Sequence, residues 1–150
     1  MEAKIPAYSF NDVVGTIVGP GGAFQLAAGS GAAEEGISIE MVEDRNKMDV
    51  GADGSVMHSL HAGKAGTCTV RLLKTSPVNA QLMSMYDLQS VASGLWGSNI
   101  IVIRQVASGD VTTARQVAFK RAPNQTYAKD GGTMEWSFDC GLVDRILGTY

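Results

Sequence analysis

Apolar and polar residues alternate along much of this chain, and a period of two is typical of β-strands with one buried face. The alternation is clearest in three segments: Ile37–Val42, Gly66–Lys74 and Thr133–Cys140. In the third segment one side carries Met134, Trp136, Phe138 and Cys140. A further segment, Ser55–Leu60, either joins Gly66–Lys74 as one long strand or forms a second strand, with an interruption near Gly63.

Two β-hairpins are predicted where glycine-containing turns separate strand-like segments. The first joins Tyr8–Val18 to Ala23–Ala27 through Gly-Pro-Gly-Gly at residues 19–22. The second joins Asn99–Val106 to Val111–Lys120 through residues 107–110. In the returning strand of the second hairpin, simple alternation places on one face Arg115, Val117 and Phe119.

A helix is predicted from Ser76-Pro77 onward. Serine accepts hydrogen bonds from the unpaired amides of a helix start, and proline at the first helical position has no amide to lose. We expect the helix to cover Pro77–Ser93 and to end near Gly94. Its core-filling side is expected to carry Val78, Leu82, Met83, Met85, Tyr86 and Gln89. Its outer side is expected to carry Gln81, Ser84 and Asp87.

These elements predict a mainly β protein with one α-helix, a β-sandwich or barrel with the helix on its flank. The length of 150 residues fits one domain over residues 1–150, which would bury roughly 70% of the surface of the unfolded chain.

The composition favours a protein that hides part of its surface in an assembly. Hydrophobic residues make up 45% of the chain and charged residues only 18%. A monomer with a large core and glycine-rich loops is the alternative. The net charge of −3 argues against a general nucleic-acid binder. Residues 34–53 hold seven acids and two bases, whereas residues 54–129 hold eight bases and two acids, a split that suits head-to-tail self-association.

No arrangement of residues predicts catalysis, a metal site or a cofactor. His58 and His61 would point to opposite faces of a strand, which does not suit a shared metal ion. The loop at residues 19–22 lacks the Lys-Ser/Thr of a phosphate-binding loop. Cys68 and Cys140 are expected to be buried free thiols. Because no apolar run approaches ~20 residues, we expect no membrane contact and an intracellular, soluble protein.

The sequence resembles the inner tail tube proteins of contractile-tailed bacteriophages. The resemblance rests on Tyr8–Leu26 and Gly36–Leu82, and more weakly on Leu95–Arg104 and the final strand with MEWSFDC. It implies a subunit that is not an enzyme and that forms hexameric rings, which stack into a hollow tube. The strands of each subunit would join a ring-wide β-barrel around the lumen, with the helix outside. The same fold is used by tubes of type VI secretion.

The resemblance also implies partners and a location. The partners would be the tail sheath protein, the tape-measure protein, and the baseplate and tail-terminator proteins, while DNA passes through the lumen without specific binding. The subunit would belong to the virion tail and assemble in the host cytoplasm. Two alternatives remain: the tube of a phage-derived bacteriocin or secretion machine, and a small intracellular β-barrel that binds a ligand or peptide.

Site hypotheses follow for three surfaces. The charged loop at residues 43–54 is the candidate contact between stacked rings, through Glu43, Asp44, Arg45, Lys47, Met48, Asp49 and Asp53. Lumen-facing side chains should be acidic or neutral so that DNA does not adhere, and Glu40 is the candidate. The outer helix residues Gln81, Ser84 and Asp87 are candidates for sheath contact.

Overall fold

The computed structural model describes residues 5–27 and 31–150. Within these ranges it contains the strands β1 (Val13–Gly19), β2 (Gly22–Gln25), β3 (Ala32–Met41), β4 (Asn46–Val50), β5 (Val56–Leu60), β6 (Gly66–Leu73), β7 (Asn99–Gln105), β8 (Asp110–Arg121) and β9 (Thr133–Ile146). One α-helix is described, α1 (Val78–Gln89), together with short 3-10 helices at Phe10–Asp12 and Ser93–Leu95. The prediction of a mainly β protein with one helix is confirmed.

Seven strands form one antiparallel sheet in the order β2-β1-β7-β8-β9-β6-β3. The sheet folds over on itself, because a Cβ added at Gly15 of β1 would lie 3.4 Å from Ile37 Cδ1 of β3. The result is sandwich-like. Among the described residues β2 and β3 each pair with a single strand, so the sheet of one chain does not close into a barrel.

The core lies between the folded halves of the sheet and α1. Its centre is a cluster of three aromatic residues, Phe119, Trp136 and Phe138, each at most 2% exposed. Phe119 packs edge-on against Trp136, with ring centroids 6.0 Å apart, and lies 4.9 Å from the ring of Phe138. The predicted inward side of the last strand is therefore correct, and the strand itself continues to Ile146.

The helix begins as predicted and ends earlier. The amide of Val78 donates to Ser76 Oγ (3.3 Å), so the serine does accept a bond from the helix start. The helix ends at Gln89, and Gly94 lies instead in the following 3-10 turn. Met85 is buried as expected, but the prediction for Met83 is wrong because its side chain is 38% exposed.

A β-bulge at Gln116 reverses the predicted side of Arg115. Gln116 has a φ of 54°, and the pairing of β8 with β7 shifts by one residue around it, from Ala114 opposite Ile101 to Val117 opposite Asn99. The extra residue breaks the period of two, so Val117 and Phe119 face the core while Arg115 is exposed. Alternation alone assigned these three residues to one face.

A buried amide pair fastens the end of α1 to the sheet. Gln89 Nε2 donates to Asn99 Oδ1 (2.7 Å) and to the carbonyl of Pro20 (2.8 Å). Asn99 Nδ2 returns a bond to Gln89 Oε1 (2.9 Å). Both side chains are fully buried. The pair satisfies polar groups that would otherwise be costly to bury, and it fixes the helix end against the β1–β2 turn.

Replacing Gln89 by leucine is therefore expected to lower the free energy of unfolding by about 1–3 kcal/mol, because the Asn99 amide and the Pro20 carbonyl lose this buried partner. Urea unfolding followed by circular dichroism would measure the change. The matched control is Gln81→Leu on the exposed side of the same helix, which should change the stability by less than about 0.5 kcal/mol. Equal effects of the two substitutions would contradict a stabilising role for the buried pair.

Candidate assembly surfaces

The strands β4 and β5 form a separate two-stranded sheet that projects from the body of the protein. Every side chain from Met41 to Gly63 is exposed except Ser59, which is intermediate. The arm is attached at its base, where the amide of Val143 donates to the carbonyl of Lys64 (2.9 Å) and Lys64 Nζ contacts Asp144 Oδ1 (3.1 Å). We call residues 43–61 the stacking hairpin, after the contact between rings that the sequence analysis predicts for residues 43–54.

The two faces of the stacking hairpin differ in character. Cross-strand partners share a face, so the register places on one side the four apolar side chains Met48, Val50, Val56 and Leu60. Their exposed fractions are 56%, 60%, 55% and 82%. Asn46 and His58 complete this side and contact each other through Asn46 Nδ2 and His58 Nδ1 (3.1 Å). The opposite side carries Lys47, Asp49, Met57 and Ser59.

Local hydrogen bonds shape the tip of the hairpin. The amide of Gly51 donates to the carbonyl of Ser55 (2.7 Å), and Gly54 adopts a φ of 89° that favours glycine. Asp53 Oδ1 accepts a bond from the Ser55 amide (3.0 Å). This bond, and then the Ser55 hydroxyl, hold the pKa of the exposed Asp53 carboxyl below its usual value. The tip therefore keeps its negative charge at neutral pH.

The sequence predicted a charged loop in this segment, and the structure shows that part of it is a strand. Of the residues expected in the loop, Lys47, Met48 and Asp49 lie on β4. Glu43, Asp44 and Arg45 lie at the base, where Arg45 Nη1 donates to the carbonyl of His61 (2.8 Å). The apolar face was missed. Its signal is the alternation of Met48 and Val50 before the turn and of Val56 and Leu60 after it.

The outward side of β3, β6 and β9 forms a polar sheet face that includes Glu40. Glu40 is exposed and lies opposite Thr67, which in turn lies opposite Asp139. Arg71 is the basic residue of this face; its Nη1 donates to Ser38 Oγ (3.1 Å), and its Nε lies 3.7 Å from Glu135 Oε2. In the described rows Glu40–Thr67–Asp139, Ser38–Thr69–Ser137 and Arg71–Glu135, three acids against one base give a formal charge of −2.

The helix presents its predicted outer residues to solvent. Gln81, Ser84 and Asp87 are all exposed, whereas Leu82 and Met85 are buried against the sheet. The outer side of α1 is therefore available for contact with another protein, and it carries no cationic residue between Val78 and Gln89.

Both cysteines are buried free thiols, as the sequence indicates. Burial, followed by the neighbouring Cys140, raises the pKa of Cys68 to about 12. Burial is also the main cause that raises the pKa of Cys140 to about 11. Both groups stay protonated at neutral pH and are poor nucleophiles, since the thiolate is the reactive form.

The described residues contain no group of three or more histidine, cysteine, aspartate or glutamate side chains that could hold a metal ion. No helix among them is both long and apolar enough to cross a membrane. The distinctive features of the described chain are thus surfaces: an exposed hairpin, two sheet edges, a polar sheet face and the outer side of α1.

Comparisons with known proteins agree with this arrangement. A family model described as the bacteriophage PhiTE tail tube protein matches residues 5–148. The fold is similar to the tube-terminating cap of the anti-feeding prophage, with a TM-score of 0.59, 10% identity, and 99% of this chain and 95% of that chain covered. It is also similar to a chain of the PVC sheath–tube complex, an extracellular contractile injection system in its extended state (TM-score 0.60, 13% identity, 97% and 93% covered).

A third similar structure is a chain of the PVC sheath/tube terminator in the extended state, with a TM-score of 0.60, 13% identity, and 97% of this chain and 98% of that chain covered. At these identities the structural matches establish the fold. A search of curated proteins returned no match.

Proposed function

The chain belongs to the bacteriophage PhiTE tail tube protein family, and from this premise we propose that it assembles as hexameric rings that stack into a hollow conduit for DNA inside a contractile sheath. As a tail tube protein it is a structural subunit and not an enzyme. The observation that best supports the proposed stacking is the stacking hairpin, whose apolar face has no cover within the described chain. A two-stranded sheet is marginally stable in water by itself, so an exposed one favours a partner.

The sheet edges support ring formation. Strands β2 and β3 each lack a second partner among the described residues, and β3 is ten residues long. An exposed edge of this length is a template for pairing with another chain. Pairing between the β3 edge of one subunit and the β2 edge of the next would join the sheets into a ring-wide barrel and leave no open edge.

The polar face of β3, β6 and β9 is the proposed lining of the lumen. Its formal charge of −2 and its threonine and serine side chains would repel or only weakly contact the phosphates of DNA. Glu40 belongs to this face. Arg71, the one base in these described rows, lies beside Glu135, which reduces its attraction for a passing phosphate.

We assign each of the remaining partner proteins to a different surface of the subunit or the tube. The outer side of α1, with Gln81, Ser84 and Asp87, is proposed to face the sheath protein. The lumen would hold the tape-measure protein during assembly, and the two ends of the tube would meet the baseplate and tail-terminator proteins. The mature subunit would then lie in the virion tail after assembly in the host cytoplasm.

Electron microscopy of the purified protein tests this function directly. Negatively stained samples at high concentration should show rings with six-fold symmetry and hollow tubes built from them. A sample that stays monomeric at every concentration would contradict the proposal. Rings with another symmetry would contradict the proposed hexamer but would still agree with the proposed tube.

Reversing two acids of the stacking hairpin should impair stacking. In the variant Asp44→Lys/Asp49→Lys both substitutions lie on exposed side chains, so the subunit should fold with unchanged circular dichroism. The yield of tubes should fall at least about tenfold, because like charges placed across a contact are unfavourable. Sedimentation of tubes followed by microscopy measures the yield.

The control for this experiment is Asp87→Lys, an exposed acid on α1 that lies outside the stacking hairpin. It should leave tube yield unchanged. Normal tubes from Asp44→Lys/Asp49→Lys would show that these two acids do not contribute to the contact between rings.

A further inference from the structure

We propose that the stacking hairpin of one copy docks into an apolar cleft at the opposite end of a second copy, between α1 and the segment that follows β8. The inference rests on the proposed function and adds to it the receiving surface. Four observations carry it: the position of the cleft, its lining, its charge, and the shape of the hairpin.

The hairpin and the cleft lie at opposite ends of the subunit. Strand β6 begins at Gly66, close to the hairpin base, and ends at Leu73. Its eight residues span about 25 Å at 3.3 Å per residue. Leu72, near the far end, pairs with Met134, and Met134 lines the cleft. A contact between opposite ends of identical subunits is heterologous, and it propagates along an axis when the rotation between copies does not close a ring.

The cleft is an apolar hollow of about 330 Å³. Trp136 forms part of its lining, and the indole Nε1 is already bonded to Asn79 Oδ1 (3.0 Å). The apolar walls are contributed by Ala80, Met83, Ala122, Pro123 and Met134. Met83, which was expected to fill the core, is 38% exposed and opens into this space. The exposure of Met83 is explained if a second chain covers it.

The chain that flanks the cleft is basic, whereas the hairpin is acidic. Lys120 and Arg121 lead directly into Ala122, and both are exposed. Lys74 donates to the carbonyl of Thr126 and lies 3.9 Å above the Tyr127 ring, so it belongs to the same segment. With Lys129 and Asp130, four bases against one acid give this end +3. Residues 43–61 hold four acids and two bases, which gives −2. Opposite charges therefore meet when copies stack head to tail.

The shape of the hairpin suits an open cleft of this kind. Each of its strands has five residues and extends about 17 Å, so the arm can reach beyond its own subunit. Its apolar face would cover the apolar walls, and the acids at its base and tip would lie near the basic rim. The apolar groups are removed from water on both copies, which is the main favourable term in such a contact.

A cross-linking experiment tests the contact in assembled tubes. The variant Ala52→Cys/Gln125→Cys places one thiol at the exposed hairpin tip and one on the cleft wall. The native cysteines are buried and should not interfere. Mild oxidation of tubes should give a ladder of covalent multimers on a non-reducing gel, with at least about tenfold more multimer than either single variant gives.

The control pair Ala52→Cys/Val106→Cys carries its second thiol at the hairpin end of the subunit and should give no ladder. Normal tubes without a ladder from the cleft pair, or with equal ladders from both pairs, would overturn the docking site while the tube function stands. Absence of tubes and rings from the unsubstituted protein would instead overturn the proposed function, and this contact with it.

A charge exchange gives an independent test. Lys120→Glu/Arg121→Glu should raise the protein concentration needed for tubes at least about tenfold. Combining it with Asp44→Lys/Asp49→Lys should restore assembly, because the two charge patterns are then interchanged. Arg104→Glu/Arg115→Glu, two exposed bases outside the cleft, is the matched control and should not be rescued by the hairpin reversal. Failure of the combined variant to recover tubes would overturn the pairing of these two surfaces.

Discussion

Replacing Trp136 by alanine is expected to lower the free energy of unfolding by about 3–5 kcal/mol, the usual cost of removing a large buried aromatic side chain. Trp136 is completely buried and packs against the ring of Phe119. Its indole also donates to Asn79, which holds the first turn of α1 by donating in turn to the carbonyl of Leu73 (2.9 Å). Since domains are stable by only about 5–15 kcal/mol, much of the stability should be lost.

Two comparisons separate the causes of this loss. Trp136→Phe keeps an aromatic ring but leaves Asn79 Oδ1 without its indole donor, and should cost about 1–3 kcal/mol. Trp96→Ala removes the same side chain from the edge of the aromatic cluster, where Trp96 is 39% exposed, and should cost less than Trp136→Ala. Urea unfolding of dilute, unassembled protein measures all three. Equal losses at the two tryptophans would refute the assignment of Trp136 to the centre of the core.

Removing the stacking hairpin should abolish tubes without unfolding the subunit. Residues 46–60 can be replaced by Asn-Gly, because the amide of His61 already donates to the carbonyl of Arg45 (2.8 Å), as in the pair that closes a two-residue turn. The removed residues belong to a separate sheet, and none of them lies in the core cluster. Thermal unfolding should therefore stay close to that of the intact subunit, while microscopy should show no long tubes.

A double substitution tests whether stacking requires the apolar face of the stacking hairpin and not only the presence of the hairpin. Val50→Asp/Val56→Asp introduces charge on the face that is proposed to be covered, and it should also abolish tubes. Met57→Thr/Ser59→Ala changes the opposite face of the same strands and should have a much smaller effect. Long tubes from the hairpin-less protein would show that stacking uses another surface.

Local sequence was sufficient for most of the elements. Alternation located β6 and β9, glycine-containing turns located the β1–β2 and β7–β8 hairpins, and Ser76-Pro77 marked the start of α1. These features depend on neighbouring residues, through backbone preference and side-chain period, and therefore appear in a linear chain. The family resemblance added the proposed assembly, which no local pattern contains.

The sequence-based predictions were wrong where contacts between residues distant in the sequence determine the structure. The bulge at Gln116 depends on how β7 and β8 align, so alternation could not place Arg115. Met83 has an apolar side chain like that of Met85, but the space beside it is open. Gln89 and Asn99 are hydrogen-bonded to each other in the core, and no local pattern in the sequence links these two residues.

The sequence by itself determined the β-rich class, the helix start, the acidic character of the stacking hairpin and the absence of a catalytic pattern, because composition and short-range period carry that information. Only the tertiary structure decided that the charged segment is a projecting two-stranded arm with an apolar face. It also placed an apolar cleft, flanked by basic residues, at the far end of the subunit. The reason is physical: whether an apolar residue is buried depends on which distant strands and helices reach it, and none of the described strands and helices covers the hairpin.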